Sequence, residues 1–463
     1  LRRSKAIPLK EVVDQCLEQV PVEAVVVLDR GIVPAPMKLG RDYYWQDLAK
    51  EWGGEYVEPA QVESSEPSYI LYTSGPGVRP YGVVRDTGGY MVALYNSMKQ
   101  VYHVTEDDVF WTTSDIGWVA GHSYIVYAPL LMGISTVMFE GAPDYPDHGV
   151  MWRVAEKYRV SIMFSAPSAM RMLARFGEEH IKRCNLDALR YLFLGGERLD
   201  EATWRWTKHA LGDRPVIDVY WSTESGGPMV ANMAGVELLP MKPGSPGRPV
   251  VGYDLVVVDN RGDPVPAGTR GHLVARPPLP PGAIMTLWRD DERYHREYWC
   301  RFPARGLFST GDYALQDADG YLTVPGRADE VLNVAAHRLG AREIEEVISS
   351  HPAIAEAIVI GVSDTLRGEA PVCFATLNEG FLPSAGLGVE VKKLVRERIG
   401  AIAAPRDIRF VPRLPKTKGG ECLRGVLRAV YEGEIPQDLT QLHEGASPDE
   451  IERAITEVRR LLG

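Results

Sequence analysis

The sequence predicts an α/β protein with a large N-terminal domain of covered parallel sheets plus a small barrel-like module, followed by a small α+β domain. Three changes along the chain support this prediction. Up to about residue 240, short β-branched runs alternate with amphipathic segments, as in parallel sheets covered by helices. Prolines and glycines then separate short strands, which is typical of a small antiparallel module. After Gly326 helical and strand patterns return, which indicates a separate unit.

The predicted strands of the large domain are short, nearly continuous apolar runs between helical segments. In chain order they cover residues 24–28, 69–73, 108–113, 135–139, 161–166, 189–196 and 216–221. Two amphipathic stretches between them, GGYMVALYNSMKQVY and EATWRWTKHAL, are predicted helices. The C-terminal unit is predicted to contain, in order, a helix (AREIEEVISS), two strands (AEAIVIGV and PVCFATL), a helix (VEVKKLVRERIG), a strand (RDIRFV) and a helical tail.

One uncharged stretch, residues 116–139, is long enough to span a bilayer. Glycines, a proline and several hydroxyl side chains interrupt it, which is untypical of a membrane helix. We therefore predict a buried helix, a turn near Gly133 and a short buried strand, ISTVMFE, with no membrane partner.

Charge and cysteine content exclude several classes of protein. The 51 Lys and Arg residues are outnumbered by 62 Asp and Glu residues, which gives a net charge of −11 and provides no basic surface for nucleic acid. The five cysteines are far apart and form no CxxC pair, so we expect a reducing, cytoplasmic location without a disulfide framework. The start, at Leu1, lacks the apolar core of a signal peptide and resembles an internal cut in a longer chain.

Three segments of the large domain carry side chains that suit nucleotide chemistry. YTSGPGVRPYG (72–82) is predicted to join a strand to a helix, where amides and a helix N-terminus can hold phosphate; an ordinary loop is the alternative. STGDYALQDADGYLTVPGR contains Asp312 at a strand end, where a carboxylate binds a ribose diol or caps a turn. YWSTESG places Thr223 and Glu224 just after a strand, where a carboxylate suits a hard cation with phosphate oxygens.

In this order the three segments resemble those of the AMP-forming acyl-CoA synthetases of the acyl-adenylate superfamily. The short-chain branch is most similar, in particular the propionyl-CoA synthetases and the ligase region of propionyl-CoA synthases. The resemblance extends over practically the whole chain, through VVRDTGGY, DVFWTTSDIGWVAGHSYIVYAPLL, LFLGGERLD, LLPMKPGSPGRPVVGYD and HRLGAREIEE. Family members are longer, so the N-terminal part of the family fold is expected to be missing here. Exposed apolar surface and poor solubility would follow.

The resemblance implies a two-step reaction. A carboxylate attacks the α-phosphate of ATP, which gives an acyl-adenylate and pyrophosphate; a mobile C-terminal lid then rotates, and the thiol of coenzyme A displaces AMP. ATP, Mg²⁺ and coenzyme A are the implied cofactors. The expected partners are these small molecules and a short acid, without nucleic acid or membrane, in a homo-oligomer or a larger multidomain chain. The implied domains are 1–327 and 328–463, with a hinge near Asp329.

Carried over motif by motif, the resemblance assigns roles to individual residues. The catalytic positions would be Thr223, Glu224, Arg338 and Glu421, with Glu224 also the metal ligand. The ATP- and AMP-binding positions would be Thr73, Ser74, Gly75, Arg79, Gly196, Glu197, Arg198, Tyr220, Trp221, Thr223, Asp312, Arg327 and Arg338. The acyl pocket would contain Val119, Ala120, His122, Gly195 and Trp221, although His122 also fits a core histidine bonded to backbone. The path of coenzyme A would pass Ala335, Ala336 and His337.

The size of the acid follows from two of these positions. Trp221 matches the bulky wall that keeps the family pocket short, and Gly195 stands where acetate enzymes have a larger residue. One methylene group changes discrimination by about 1–3 kcal/mol. We therefore expect a three-carbon acid such as propionate, rather than acetate.

Two motifs depart from the family pattern. The phosphate loop, TSGTTGKPKG in the family, reads TSGPGVRPYG, so Arg79 replaces the first lysine and Tyr81 the second. The C-terminal motif PKTxSGKxLR reads PKTKGGECLR, which puts Glu421 in place of the lysine that bridges the carboxylate and the α-phosphate. Repulsion of about 4 kcal/mol at ~4 Å then replaces a similar attraction. Adenylation is expected to be impaired unless Lys416 or Lys418 substitutes.

The path of coenzyme A is also altered, because Ala336 replaces the glycine of NVxGHRL and an added methyl group can obstruct the pantetheine arm. Several explanations remain open at this point. The chain could be a degenerate paralogue that binds nucleotide or acyl-adenylate as a scaffold, the ligase region of a larger multifunctional enzyme, or a deliberately inactivated protein. A ligase with another acceptor would tolerate Ala336 but would still need a cation in place of Glu421.

Overall fold

The structure is a computed structural model that describes residues 6–73, 80–327, 331–334, 337–364, 368–415 and 422–433. Its first elements are α1 (Leu9–Leu17), β1 (Val25–Val27), β2 (Asp42–Tyr44), α2 (Trp45–Trp52), β3 (Pro67–Thr73) and β4 (Tyr81–Asp86). The predicted strand at 24–28 is present as β1, but it pairs in parallel with β2 in a separate two-stranded sheet. Neither α1 nor α2 has a buried residue, so this part of the chain lies outside the main core.

The segment 72–82 joins two antiparallel strands, so the prediction of a helix directly after it is wrong. Thr73 at the end of β3 pairs with Tyr81 at the start of β4. The next helix, α3 (Gly88–Gln100), begins only after that strand. Val83 of β4 is 1% exposed, and β-branched side chains favour such a buried strand over a helix.

The main sheet has the covered, mostly parallel arrangement that the sequence predicts. The elements that follow α3 are β5 (Val109–Thr112), α4 (Val119–Gly121), a π-helix (His122–Tyr127), α5 (Ala128–Met132), β6 (Ser135–Val137), α6 (Val150–Lys157), β7 (Ile162–Ser165), α7 (Pro167–Ala174), α8 (Glu179–Lys182), β8 (Tyr191–Gly195), α9 (Glu201–Ala210), β9 (Val216–Trp221), β10 (Pro228–Ala231) and β11 (Arg248–Pro249). Their strands form a sheet in the order β11-β10-β9-β8-β7-β5-β6. The five from β9 to β6 run parallel, and β10 and β11 are antiparallel.

Both faces of this sheet are buried. Leu192 and Leu194 of β8 pack into one apolar cluster, and Phe193 between them packs into another. Successive side chains of a strand point to opposite faces, so helices must cover the sheet on both sides, as the near-continuous apolar runs predict.

The uncharged stretch 116–139 forms the predicted helix, turn and strand, but the prediction that they are buried is only partly right, because β6 is an edge strand and Leu130 and Met138 are 66% and 71% exposed. It forms α4, the π-helix and α5, after which Gly133 takes a left-handed conformation (φ +69°) and the chain enters β6. In the described part of the chain, no helix is both long and apolar enough to cross a membrane.

The proline- and glycine-rich region forms the predicted antiparallel module. Its elements are β12 (Asp254–Val258), β13 (Arg270–Arg276), β14 (Thr286–Leu287), α10 (Asp291–Tyr294), a second π-helix (His295–Trp299), β15 (Phe308–Gln316) and β16 (Leu322–Arg327). One antiparallel sheet has the order β12-β13-β15-β16, and a second has the order β14-β4-β3. The second sheet brings β4 beside this module, close to the ends of the parallel strands.

The C-terminal unit has the predicted α+β composition. Its elements are β17 (Val331–Val334), β18 (His337–Gly340), α11 (Ala341–Ser349), β19 (Ile354–Asp364), β20 (Gly368–Leu377), α12 (Ala385–Arg398), β21 (Asp407–Phe410) and α13 (Arg424–Tyr431). Its sheet has the order β18-β17-β20-β19, with β21 parallel to β20. The predicted boundary after residue 327 coincides with the end of β16 and stays a prediction.

Two ion pairs connect the C-terminal unit to the large domain. Arg270 of β13 lies 3.0 Å from Glu343, and Arg198 lies 3.1 Å from Glu346. Both glutamates are on α11, so this helix faces the end of the main sheet where β8 terminates.

Candidate active site

The carboxyl ends of the parallel strands bring the predicted residues to one edge of the main sheet. β8 ends at Gly195 and β9 at Trp221, and the two strands are neighbours in the sheet. Ligands of open α/β sheets bind at this edge. Gly196 has φ +94°, a conformation that favours glycine, so the chain turns sharply there.

The Glu224 carboxylate is held by two buried tyrosines. Tyr81 and Tyr298 donate to its Oε1 over 2.8 and 2.9 Å. Burial and the charge of Glu224 raise the pKa of Tyr298, so its phenol stays a donor. Charge-assisted bonds of this kind are stronger than neutral ones, so the orientation of the carboxylate is fixed by residues from β4 and the second π-helix.

Arg85 holds the backbone of the same turn. Its guanidinium, 1% exposed, donates to the carbonyl oxygens of Thr223, Glu224 and Gly282, with distances of 3.0 Å to Glu224 and 2.5 Å to Gly282. A Cβ on Gly226 would lie 2.7 Å from the guanidinium carbon. This close packing fixes the turn that carries Thr223 and Glu224.

Asp312 lies beside the end of β9. The Tyr220 hydroxyl donates to its Oδ2 over 2.5 Å, and burial, followed by the charge of Asp312, raises the pKa of Tyr220 well above its ordinary value. Asp312 pairs with Arg327 across β15 and β16. The structure thus brings Tyr220 and Asp312 together as predicted, and connects the main sheet to the antiparallel module at this point.

The predicted acyl pocket is partly assembled. The Trp221 ring centroid lies 5.5 Å from that of Phe164 and 5.8 Å from that of Tyr124. Ala120 belongs to the same apolar cluster, and Val119 beside it is also buried. These rings and small residues pack together at the end of β9.

The predictions for Gly195 and His122 in the acyl pocket need correction. A Cβ on Gly195 would lie 2.8 Å from the Val219 carbonyl oxygen and 3.1 Å from Phe164 Cε2, so the missing side chain leaves no simple opening. His122 stacks on Tyr69 with centroids 5.0 Å apart, and its Nδ1 lies 3.1 Å from the Trp118 carbonyl oxygen. The alternative of a histidine bonded to backbone therefore describes His122.

Glu197 and Arg198 have protein partners in the structure. Glu197 Oε1 accepts from the Ser168 backbone N–H over 2.8 Å. Arg198 Nη1 lies 3.1 Å from Glu346 but makes no hydrogen bond of acceptable geometry. Burial raises the pKa of Glu346, and Arg198 opposes that rise. Arg198 therefore faces the C-terminal unit as well as the nucleotide region predicted for it.

Comparison with known proteins identifies the family. The family model for AMP-binding enzymes matches residues 3–285, and the model for the AMP-binding enzyme C-terminal domain matches residues 343–421. The chain belongs to the AMP-binding enzyme family. Within it, the chain is a short-chain acyl-CoA synthetase, an AMP-forming ligase, by similarity to its relatives.

Two such relatives of this AMP-binding enzyme illustrate the similarity. An acetyl-coenzyme A synthetase of Pyrobaculum aerophilum is 46% identical over 463 residues, which cover 99% of this chain and 69% of that protein. A propionate–CoA ligase of Escherichia coli is 45% identical over 464 residues, which cover 98% and 74%. The crystal structure of an acetoacetyl-CoA synthetase from Streptomyces lividans superposes with a TM-score of 0.84 at 23% identity and covers 97% of this chain and 68% of that one. It confirms the fold.

Several predicted positions of the synthetase lie outside the described residues. These are Ser74, Gly75, Arg79, Asp329, Ala335, Ala336 and Glu421, and the side chains of Arg327, His337 and Arg338. The backbone of the last three belongs to β16 and β18. Their assignments, and that of the hinge, stay predictions.

The residues around Glu224 fit the metal and nucleotide that an AMP-binding enzyme implies. The hydrogen bonds from Tyr81 and Tyr298 both reach Oε1, so Oε2 would be the oxygen that holds Mg²⁺, which carboxylate oxygens suit. Asp312, which accepts from the Tyr220 hydroxyl, supplies an anion that suits hydroxyl groups of a sugar.

The sequence did not predict several residues in and near the active site of this synthetase. Arg85 and Tyr298 bond to Glu224 across 139 and 74 positions of sequence. A charged residue inside the apolar run GVVRD was the available signal for Arg85, because such a residue needs buried partners. Asp218 of β9 was also missed; burial raises its pKa to about 8, and Arg198 opposes that rise.

Proposed function

We propose that this short-chain acyl-CoA synthetase acts on a three-carbon, propionate-like acid. In the reaction, ATP, the acid and coenzyme A give acyl-CoA, AMP and pyrophosphate through an acyl-adenylate. The dispersed cysteines support a reducing cytoplasmic setting for this chemistry. The substrates are small molecules.

The observation that carries the proposal is the pair of carboxylates, Glu224 and Asp312, at one edge of the sheet. Tyrosine hydroxyls donate to both of them and fix their orientation. Glu224 would bind Mg²⁺, which neutralises charge on the phosphate oxygens. Asp312 would bind the ribose, and Thr223, whose backbone Arg85 fixes, would contact the α-phosphate. Most of the rate in such transfers comes from positioning and electrostatics.

The size of the acid is proposed from the bulky side chains packed around Trp221. Phe164 and Tyr124 approach that ring within 6 Å, which supports a short substrate. The two relatives whose names specify acetyl and propionate have nearly equal identities, 46% and 45%, so identity does not decide between two and three carbons. The choice of the longer acid rests on the sequence comparison at Gly195, because a Cβ there would lie 2.8 Å from the Val219 carbonyl oxygen and the missing side chain opens no space in the structure.

A second candidate function, a binding protein with degenerate chemistry, is favoured by one residue. Glu421 stands where the family motif has its lysine, and an anion beside phosphate and carboxylate opposes adenylation. This candidate retains the nucleotide site and lacks turnover.

The test of the proposed function is pyrophosphate release from Mg-ATP, measured in parallel with propionate, 3-hydroxypropionate and acetate. The full chain is compared with its Glu421→Lys variant. We expect propionate to give the highest kcat/KM in whichever protein is active, and Glu421→Lys to be at least about tenfold faster, because one repulsive charge becomes attractive.

Each result separates the candidates. Release by the parent chain supports a working ligase, and release by Glu421→Lys alone indicates a synthetase fold disabled at one residue. Silence of both proteins, together with retained nucleotide binding, would favour the binding protein. A preference for acetate would contradict the three-carbon proposal.

A further inference from the structure

We propose that Tyr81 and Tyr298 are positioning residues that orient the Glu224 carboxylate so that its Oε2 binds the cation of the metal–nucleotide substrate. The inference deepens the proposed function and rests on it, since that function makes Glu224 the metal ligand. In this proposal neither tyrosine contacts the substrate, and both act through Glu224.

The three oxygen atoms form a compact triangle. Tyr81 and Tyr298 each approach Glu224 Oε1, at 2.8 and 2.9 Å, and the two phenol oxygens lie 3.2 Å apart. A phenol has a single proton to donate. Because an ionised carboxylate is a stronger acceptor than another phenol, both protons point to Oε1. The two bonds on one oxygen fix the plane of the carboxylate and direct Oε2 away from the tyrosines.

The tyrosine rings are themselves immobilised. Tyr298 is 7% exposed and stacks on Phe308 with centroids 5.3 Å apart and an interplanar angle of 4°. Tyr81 is 4% exposed, and the guanidinium carbon of Arg293 lies 4.4 Å from its ring centroid. A ligand carboxylate held by fixed partners loses little rotamer freedom when a metal binds.

The charge around Glu224 favours a ligand over a purely structural role. In the described residues, no lysine, arginine or histidine side chain forms an ion pair with this carboxylate. The nearby cation, Arg85, donates to the carbonyl oxygen of Glu224 instead. A half-buried carboxylate that is hydrogen-bonded but not paired with a cation is stabilised when a metal ion binds to it.

The hydrogen bond from residue 81 to Glu224 depends on the tyrosine that this chain has at that position. The family motif has a lysine where Tyr81 stands. A lysine at that distance from Glu224 would form an ion pair and compete with the metal, whereas the phenol donates a proton and leaves the negative charge in place.

The test measures how much a metal strengthens nucleotide binding. Calorimetry gives the dissociation constant of α,β-methylene-ATP with Mn²⁺ and with EDTA, for the full chain without acid or coenzyme A. The ratio of the two constants is compared among the parent, Tyr81→Phe, Tyr298→Phe, Glu224→Gln and the control Tyr253→Phe. Tyr253 lines the same cavity as Glu224 without bonding to its carboxylate. Thermal unfolding of each variant reports on folding.

We expect each of Tyr81→Phe and Tyr298→Phe to lower the metal-dependent gain in affinity about tenfold, the usual effect of removing a residue that orients a metal ligand. The affinity measured with EDTA should stay unchanged, which a general packing defect would not allow. Glu224→Gln should abolish the gain, and Tyr253→Phe should preserve it.

Three results would overturn the inference, and they differ in what they say about the proposed function. If both phenylalanine variants keep the full gain while Glu224→Gln loses it, Glu224 is the ligand but needs no positioning. If those variants weaken binding equally with Mn²⁺ and with EDTA, their role is packing. If Glu224→Gln keeps the gain, or the parent shows none, the assignment of Glu224 in the proposed function falls as well.

Discussion

At the scale of single residues, the carboxyl groups in and near the site differ in their surroundings. Glu224 and Asp312 accept hydrogen bonds from tyrosine hydroxyls, and burial raises the pKa of the nearby Asp218 to about 8. The Asp218 carboxyl group is therefore protonated at neutral pH, because burial disfavours its charged form.

Asp218 gives a prediction for the pH dependence of stability. Its folded-state pKa of about 8 exceeds the unfolded value of about 3.9, so the folded protein is favoured at low pH and loses stability as pH rises between these values. Relative to the parent, Asp218→Asn should gain about 1.4 kcal/mol in the free energy of unfolding per pH unit over this range. Urea titrations at pH 5, 6, 7 and 8 measure the difference.

Asp213→Asn is the matched control for Asp218, because Asp213 is exposed in the same region of the chain. The difference in the free energy of unfolding between Asp213→Asn and the parent should not change with pH. A flat difference for Asp218→Asn as well would show that the Asp218 carboxyl group is ionised throughout this range.

At the scale of secondary-structure elements, Arg85 connects three parts of the chain. It extends from β4 to the turn after β9 and to the turn at Gly282, which precedes β14. Glu224 O also accepts from the Ile284 backbone N–H. Thr223 O and Gly282 O have no such second bond among the described backbone contacts.

Replacing Arg85 with Met should therefore destabilise the protein and slow adenylation. Two buried carbonyl groups lose their donor, at about 1–3 kcal/mol each, so the free energy of unfolding should fall by about 3 kcal/mol. Urea unfolding measures the loss, and Arg183→Met, a change at an exposed arginine, should lose less than about 0.5 kcal/mol. Equal stability of the Arg85 variant and the parent would show that water replaces the guanidinium.

The elements also show how far the sequence could predict this structure. The parallel strands β5 to β9 are found where apolar runs indicate them, because the apolar pattern that marks a buried strand lies within the strand itself. The run at 24–28 also forms a strand, but its pattern could not show that it pairs with β2 outside the main sheet. Glu224 was found from a motif that follows a strand, whereas Asp312, predicted at a strand end, lies inside β15. Arg85 and Tyr298 were not found, because their role depends on contacts between distant parts of the chain.

At the scale of the whole molecule, one feature is the apolar surface that remains exposed. In the N-terminal part, Leu39, Tyr56 and Trp52 are 105%, 79% and 62% exposed. On the large domain, Met138 and Leu130 are 71% and 66% exposed. Where such side chains form a contiguous patch, they mark an interaction site or a tendency to aggregate.

We expect the chain to associate with itself as its concentration rises. Light scattering after gel filtration should give a mass above 51.3 kDa that increases with loading, because association buries apolar surface. Leu130→Lys should reduce the mass without lowering stability, since the residue is already in water. A monodisperse monomer at all loadings would contradict this expectation.

The pairing of Asp312 with Arg327 brings the proposed ribose-binding position close to the end of the antiparallel module. The two residues lie opposite each other on the ribbon formed by β15 and β16, and β16 ends at Arg327, where the chain leaves the antiparallel module. Paired residues on adjacent strands have Cα atoms about 5 Å apart. A ligand bound at Asp312 would therefore lie one strand away from the residue at which the chain leaves the antiparallel module.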